Sequence, residues 1–340
     1  MQDQKSTSAS IIVRLPNWVG DVCMALPCLG RLQAEGYKLV VCARPWAKDL
    51  LFSLGLPALD SLQFVPLTGR FMADYRAVRQ ARSSGERGAK GLVLPDSLSS
   101  AALFWLNGIP SAGYRDDGRS LLLRWPFQKP TSPLHASQKW LHLTEQALAV
   151  WQGSSALQGM PNVPNVPNVP KKPKGLELTP SNDATAIARR ALANASIKTD
   201  NYVLLAPTAT GLHRGQVKVW PHFRELAQNL IRAGYTVVTC PPPNEREQAR
   251  QTIPEAVMLD AMTLSGFAAL AKGAGLVICN DSGVSHVAAL VRARQLTLFG
   301  VTDPALTGPL SETAMSLGGV ARWPSLEEVT RAALAQLTQT

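Results

Sequence analysis

Long hydrophobic runs are missing from this sequence: no apolar stretch approaches the roughly 18–20 residues that a membrane span needs. The opening segment to Ser10 is polar, and the Ile11-Ile12-Val13 that follows is too short for a signal peptide, so none is expected. Cysteine is scarce and scattered. Cys23, Cys28, Cys42, Cys240 and Cys279 form no C-x-x-C pair, which argues against a zinc site or a disulfide framework and fits a reducing cytosol. Several catalytic signatures are also lacking. No G-x-G-x-x-G follows the first apolar run, which weakens a dinucleotide-dehydrogenase reading, and no Walker A motif is present. There is no Asp-x-Asp to chelate a metal for a transferase and no H-E-x-x-H. Ser97 sits in Leu94-Pro95-Asp96-Ser97-Leu98 rather than in a nucleophile elbow, so a hydrolase triad is unsupported. No metal and no resident cofactor is expected.

Acid is in short supply. The chain has 24 Asp and Glu against 34 Lys and Arg, a formal net charge of +10. The excess is spread along it, with 17 basic and 11 acidic side chains in residues 1–150 and 17 and 13 in the rest. No Lys/Arg run is interleaved with aromatics, so nucleic acid is not expected as a partner. An anionic membrane surface or a phosphorylated glycolipid would suit the charge, and so would plain solvation.

What is present is enough chain for two domains. The 340 residues are 46% hydrophobic and 17% charged, so a sizeable core can be buried. Residues 160–174 carry three tandem Asn-Val-Pro copies and five prolines, which cannot form a helix or a central strand. The boundaries that follow are a first domain over 1–155, a Pro-rich linker over 156–178, a second domain over 179–323 and a terminal helix over 324–340 that could cross back to the first domain.

Both sides of the linker start alike. Ser10–Pro16 is an apolar run ending in a loop, then an amphipathic stretch to Glu35 and a second strand at Lys38–Cys42. Beyond the linker, Tyr202–Ala206 reads as a strand, 207–219 as a loop, Pro221–Ala233 as a helix and Tyr235–Thr239 as a strand. Further strands end at Leu94, Cys279 and Phe299. Strands alternating with helices predict parallel sheets built from βαβ units, hence two Rossmann-like domains facing a cleft. In such sheets ligands bind at the carboxyl ends of the strands.

The loops at those ends offer chemistry. Gly20 allows a sharp turn or a close backbone approach. Asp21 stands at a helix start, where it can be an N-cap or a carboxylate that takes a proton from a hydroxyl. Asn280-Asp281-Ser282-Gly283-Val284-Ser285-His286 opens another helix; its amides and dipole suit a diphosphate, or Asp281 or Ser282 simply caps the helix. In the long loop after Ala206, Lys218 can neutralise a phosphate. Trp220 there can stack on a flat group, though anchoring the helix is the favoured role.

Taken together, these loops resemble glycosyltransferase family 9, the ADP-heptose:lipopolysaccharide heptosyltransferases. The resemblance is carried by Val13–Pro27, Leu94–Ser100 with Gly108–Arg115, Lys218-Val219-Trp220-Pro221, Asn280–Leu290 and Phe299–Pro304, in order along nearly the whole chain. Within the family the wording is nearest that of the heptosyltransferase II branch. The resemblance implies an α/β GT-B fold of two Rossmann-like domains. It implies inverting transfer of L-glycero-D-manno-heptose from an ADP-sugar donor to a hydroxyl of the lipopolysaccharide inner core, that of the first heptose for this branch. Asp21 matches the family's general base and Lys218 a residue that contacts the donor phosphates. Asp281, Ser282, Gly283 and His286 match the segment that binds the ADP-sugar, and Gly20, Thr208 and Thr210 fall among donor-side positions. Glu245 or Glu247 would fill an acidic nucleoside-contacting role. Arg44, Lys48, Arg115, Arg119 and Arg124 are candidate acceptor contacts, exposed structural charge being the alternative for each. The implied partners are an ADP-sugar, a lipopolysaccharide inner-core glycolipid and the anionic inner-membrane surface, the implied location the cytoplasmic face of that membrane. A relative using another acceptor or nucleotide-sugar, a GT-B epimerase or hydrolase, and a non-catalytic glycolipid-binding protein of the same fold are the competing readings.

Overall fold

The structure is a computed structural model that describes residues 9–55, 62–83, 88–116, 118–153, 175–197, 202–213 and 215–338. The Asn-Val-Pro repeat lies outside the described residues. The chain divides into two compact units, Met1–Lys48 with Leu56–Pro173, and Asp49–Gly55 with Lys174–Thr340.

The first unit is a six-stranded sheet in the order β3-β2-β1-β4-β5-β6, with every pair parallel. Its strands are β1 Ser10–Arg14, β2 Lys38–Ala43, β3 Gln63–Pro66, β4 Lys90–Val93, β5 Ser111–Tyr114 and β6 Trp125–Phe127. Helices α1 Val19–Ala34, α3 Phe71–Ser83, α4 Leu98–Leu106 and α5 Ala136–Trp151 follow strands in turn, and β2 is followed by α2 Ala47–Ser53, which from Asp49 on groups with the second unit. Helices on both faces explain why β1 and β2 read as unbroken apolar runs rather than as alternating ones. Local chemistry sets the helix starts. The buried Asp74 carboxylate of α3 accepts from Thr68 N at 2.7 Å and Gly69 N at 3.0 Å. Ser97 caps α4 by accepting from Ser100 N at 3.3 Å.

The second unit repeats the plan, with order β11-β10-β7-β12-β13-β14, again all parallel. Its strands are β7 Tyr202–Ala206, β10 Thr236–Thr239, β11 Val257–Met258, β12 Leu276–Asn280, β13 Gln295–Phe299 and β14 Ala314–Gly318. A small hairpin, β8 Leu212–His213 with β9 Gln216–Val217, interrupts the loop read above as irregular. The helices are α6 Asn182–Asn194, α7 Phe223–Arg232, α8 Arg246–Thr252, α9 Leu264–Gly273, α10 Gly283–Leu290, α11 Pro304–Thr307 and α12 Leu326–Leu337.

Two expectations about domain bounds need correction. The terminal helix packs within the second unit: Val329, Ala333 and Leu337 of α12 lie in one core with Leu226 and Leu230 of α7 and Leu276 of β12. The second unit also takes in Asp49–Gly55. Asp49 accepts from Ser265 N and Ser265 Oγ, both at 2.7 Å, at the start of α9. A bond spanning 216 residues has no local signature in sequence.

All five thiols are buried and uncharged at neutral pH. Burial pushes Cys28, Cys42 and Cys279 up to about 12 and Cys240 up to about 11, and it raises Cys23 as well. Iodoacetamide at pH 8 is therefore expected to leave the native protein unlabelled and to label all five sites in denaturant, as read by intact mass. For α12, Val329→Ala should destabilise the second unit by about 2 kcal/mol. Deleting residues 326–340 should abolish its cooperative melting transition, checked by calorimetry and limited proteolysis.

Candidate active-site residues

Both sheets reverse their order of construction once. The switch lies between β1 and β4 in the first unit and between β7 and β12 in the second. Loops at the carboxyl ends of those strands are where ligands of such sheets bind.

In the first unit the loop after β1 runs from Leu15 to Trp18, and α1 begins at Val19. Buried Arg14 holds this loop, donating to Leu15 O and, at 2.6 Å, to Asn17 Oδ1. Burial pulls its guanidinium below the ordinary arginine value, against the opposing pull of Cys42 and Asp74. Trp18, not Asp21, is the helix N-cap, and it makes no side-chain cap bond. Asp21 stands in the first turn, half-buried, where the helix dipole favours its negative charge. Gly20 beside it is buried. Trp18, which the sequence reading did not single out, is two-thirds exposed at this loop (67%).

The expected acceptor residues do not form one cluster. Arg44 and Lys48 follow β2, while Arg115 and Arg119 follow β5, and β1 and β4 lie between those strands. Lys48, Arg115 and Arg124 are exposed, and Arg115 donates to Gln128 Oε1 at 3.2 Å. Arg44 is half-buried. Arg119 is a correction: its side chain is fully buried, donating to Pro95 O at 2.8 Å, Asp96 Oδ1 at 3.0 Å and Asp116 O at 3.1 Å. It holds the loop after β4 instead of presenting its charge to solvent. Lys129, also unforeseen, pairs with Asp96 at 2.6 Å and with Asp116. Burial acts to lower the Lys129 ammonium, but the two carboxylates outweigh it and the net direction is upward.

In the second unit four strand ends contribute. Lys218, from the loop after β7, lies 3.3 Å from Asp281 Oδ2, just past β12. The buried hydroxyl of Thr302, from the loop after β13, donates to the same oxygen at 2.5 Å. Thr302 lies within the Phe299–Pro304 match but was not singled out, because nothing local pairs it with Asp281, 21 residues earlier. Thr208 is buried and donates to Glu245, which follows β10. That contact separates the two acidic candidates, since Glu247 is exposed on α8 and pairs with Arg250 at 3.2 Å. Thr210 is exposed.

The frame behind these groups is buried and hydrogen-bonded. Trp220 is fully buried, its backbone N donates to Asn280 Oδ1 at 2.9 Å, and its Nε1 donates to Pro324 O at 2.8 Å. Its role is the anchor. Next to Pro324, Trp323 packs so closely on Gly300 that an added Cβ there would lie 2.0 Å from its ring. Helix α10 starts at Gly283 with Ser282 as N-cap, but the Ser282 side chain makes no cap bond and its buried hydroxyl has no hydrogen-bond partner. The capping role considered for it is therefore not what the hydroxyl does. His286 is buried one turn into the helix. A cation, a helix start with its positive dipole end and an unsatisfied hydroxyl together suit an anion.

Known proteins resemble this chain in sequence and fold. The model of glycosyltransferase family 9 (heptosyltransferase) matches residues 88–336. Lipooligosaccharide heptosyltransferase 2 of Haemophilus influenzae is 27% identical over 90% of this chain and 87% of its own. Lipopolysaccharide heptosyltransferase 2 of Escherichia coli is 25% identical over 89% and 86%. Among solved structures, E. coli ADP-heptose lps heptosyltransferase II superposes with a TM-score of 0.74, 24% identity and coverage of 97% and 99%. E. coli heptosyltransferase WaaC with ADP superposes with a TM-score of 0.66 at 21% identity, over 97% and 99%. These two likenesses bear on the fold, which is GT-B. The family match spans well over half of the sequence, so the chain belongs to glycosyltransferase family 9, the heptosyltransferases.

Proposed function

We propose that the protein transfers L-glycero-D-manno-heptose from ADP-heptose to the first heptose of the lipopolysaccharide inner core, with inversion at the anomeric carbon. The observation that carries this reading is the Lys218–Asp281–Thr302 cluster beside the start of α10. It is built for an anionic leaving group. Relatives of similar length that are named heptosyltransferase 2 support the acceptor class.

The chemistry follows from the groups assigned. The acceptor hydroxyl oxygen attacks the anomeric carbon while Asp21 takes its proton. The bond from that carbon to the β-phosphate oxygen breaks, and ADP departs with the electron pair. Lys218 and the amides at the start of α10 face the growing diphosphate charge, as does the unsatisfied Ser282 hydroxyl. Such preorganised groups need no reorganisation as the charge appears. Asp281 holds Lys218 in place and Thr302 holds Asp281. Glu245, oriented by Thr208, is assigned to the nucleoside, and His286, Gly283, Gly20 and Thr210 to other parts of the donor. Half-buried Arg44 and exposed Lys48 and Arg115 are assigned to the acidic acceptor, whereas Arg119 positions the loop after β4. No resident cofactor or metal has a role in this scheme.

Among the described residues no helix is long and apolar enough to cross a membrane. With a lipid-borne acceptor and a basic chain, we place the protein at the cytoplasmic face of the inner membrane as a peripheral enzyme.

ADP release from ADP-heptose, with and without a heptose-bearing core acceptor, tests the scheme. Release should need the acceptor and fall at least about 100-fold in kcat in Asp21→Asn, as loss of a general base predicts. Lys218→Ala should cost about 100- to 1000-fold. Equal release without acceptor would mean hydrolysis, and no release by folded protein would mean another donor or a binding role. Thr302→Val should raise the KM for the donor several-fold more than it lowers kcat, and Thr302→Ser should restore both. Equal defects in Val and Ser variants would remove the hydroxyl from the account.

A further inference from the structure

The outward surface of helices α3 and α4 in the first unit serves none of the roles above. The two helices lie side by side: Arg82 of α3 donates to Asn107 O just past α4, and Asn107 Nδ2 reaches Tyr75 O at 3.5 Å. Their inner faces carry Val78, Ala81, Ala101, Leu103 and Phe104 into the core.

The outer face of α4 is unusual for a water-exposed helix. Its sequence, LSSAALFWL, contains no charge. Leu98 (51% exposed), Trp105 (54%) and Leu106 (49%) fall at helical spacing on one stripe open to solvent. Beside it, α3 begins with exposed Phe71 and Met72, and Arg70, Arg76 and Arg79 are exposed with them. The one acid of α3, Asp74, is turned inward and occupied by Thr68 and Gly69. Arg79 lies along the surface, donating to Tyr75 Oη at 3.1 Å with its guanidinium over the ring. An apolar stripe with a tryptophan therefore adjoins a basic helix face that carries no acid.

We infer that this α3–α4 face docks the protein on an anionic bilayer surface. Trp105, Leu106, Leu98 and Met72 would enter the headgroup–acyl boundary, and Arg70, Arg76 and Arg79 would meet lipid phosphates. Apolar burial combined with attraction to anionic lipid is the pattern of interfacial helices. The acid-free basic flank favours a partner of uniform negative charge over a mixed-charge protein surface. The inference rests on the peripheral location proposed above and supplies the surface responsible for it.

Vesicle flotation of the full chain, without donor, tests it. Binding is expected to vesicles of phosphatidylethanolamine with phosphatidylglycerol and to be far weaker with phosphatidylcholine alone. Arg76→Glu with Arg79→Glu should weaken binding at least about tenfold, since each basic residue near the surface contributes. Trp105→Ser with Leu106→Ser should weaken it by a similar factor. The latter variant should keep wild-type circular dichroism, melting and turnover of a water-soluble, deacylated acceptor. Wild-type vesicle binding by both variants would place docking elsewhere and overturn the inference, as would a wild type that does not bind. A wild-type dimer made monomeric by Trp105→Ser with Leu106→Ser would identify the face as a self-association surface and overturn it too. Normal turnover with no vesicle binding defeats this inference alone, whereas variant-sensitive binding with no turnover on any acceptor defeats the transferase scheme and leaves the docking face standing.

Discussion

The position of Lys218 against Asp281 depends on one buried hydrogen bond, from Trp220 N to Asn280 Oδ1. It ties the end of the long loop after β7 to the last residue of β12, across the switch point of the second sheet. Lys218 is two residues before one end of this bond and Asp281 one residue after the other. Trp220 is itself fixed through its indole to Pro324 O, and Trp323 fills the space over Gly300 at the end of β13. Three strand ends and the chain leading into α12 are thus locked to one another. A buried bond of this kind is costly to leave unmade, which makes the loop's position a single state rather than a range.

The first unit uses buried arginines to the same end. Arg14 spends its donors on the loop that leads to Asp21. Arg119 spends its donors on the loop that follows β4. In both cases a charge that would suit an anionic ligand has been taken out of solvent to hold backbone in place, and in both the partners are carbonyls and short polar side chains. A buried charge needs such partners, because its desolvation is otherwise uncompensated. Charge counting along the sequence treats Arg119 and Arg115 alike, yet only the second presents its charge to solvent.

The strands and most helices could be read directly. Apolar runs such as Ile11–Val13, Val203–Leu205 and Leu276–Ile278 are buried on both faces, and covered parallel strands have that pattern. The junction that carries Asp281 and Ser282, after β12 and before α10, was also legible. What could not be read were pairings between distant segments. Thr302 with Asp281, Thr208 with Glu245 and Asp49 with Ser265 join residues 21, 37 and 216 positions apart. The destination of α12 was equally hidden, since an amphipathic helix shows that it has a partner without showing which.

The sequence by itself determined the alternation of strands and helices, hence the doubly wound sheets, and the strand ends at which chemistry is placed. Hydrophobic periodicity and chain punctuation are local properties, and they suffice for that. Tertiary structure decided which charges face water and which are spent inside. It made Arg119 a brace, made Glu245 rather than Glu247 the partner of Thr208, turned Asp74 inward and left the neighbouring arginines outside. Those outcomes depend on burial and hydrogen-bond geometry between segments far apart in the chain, and no spacing within a segment encodes them.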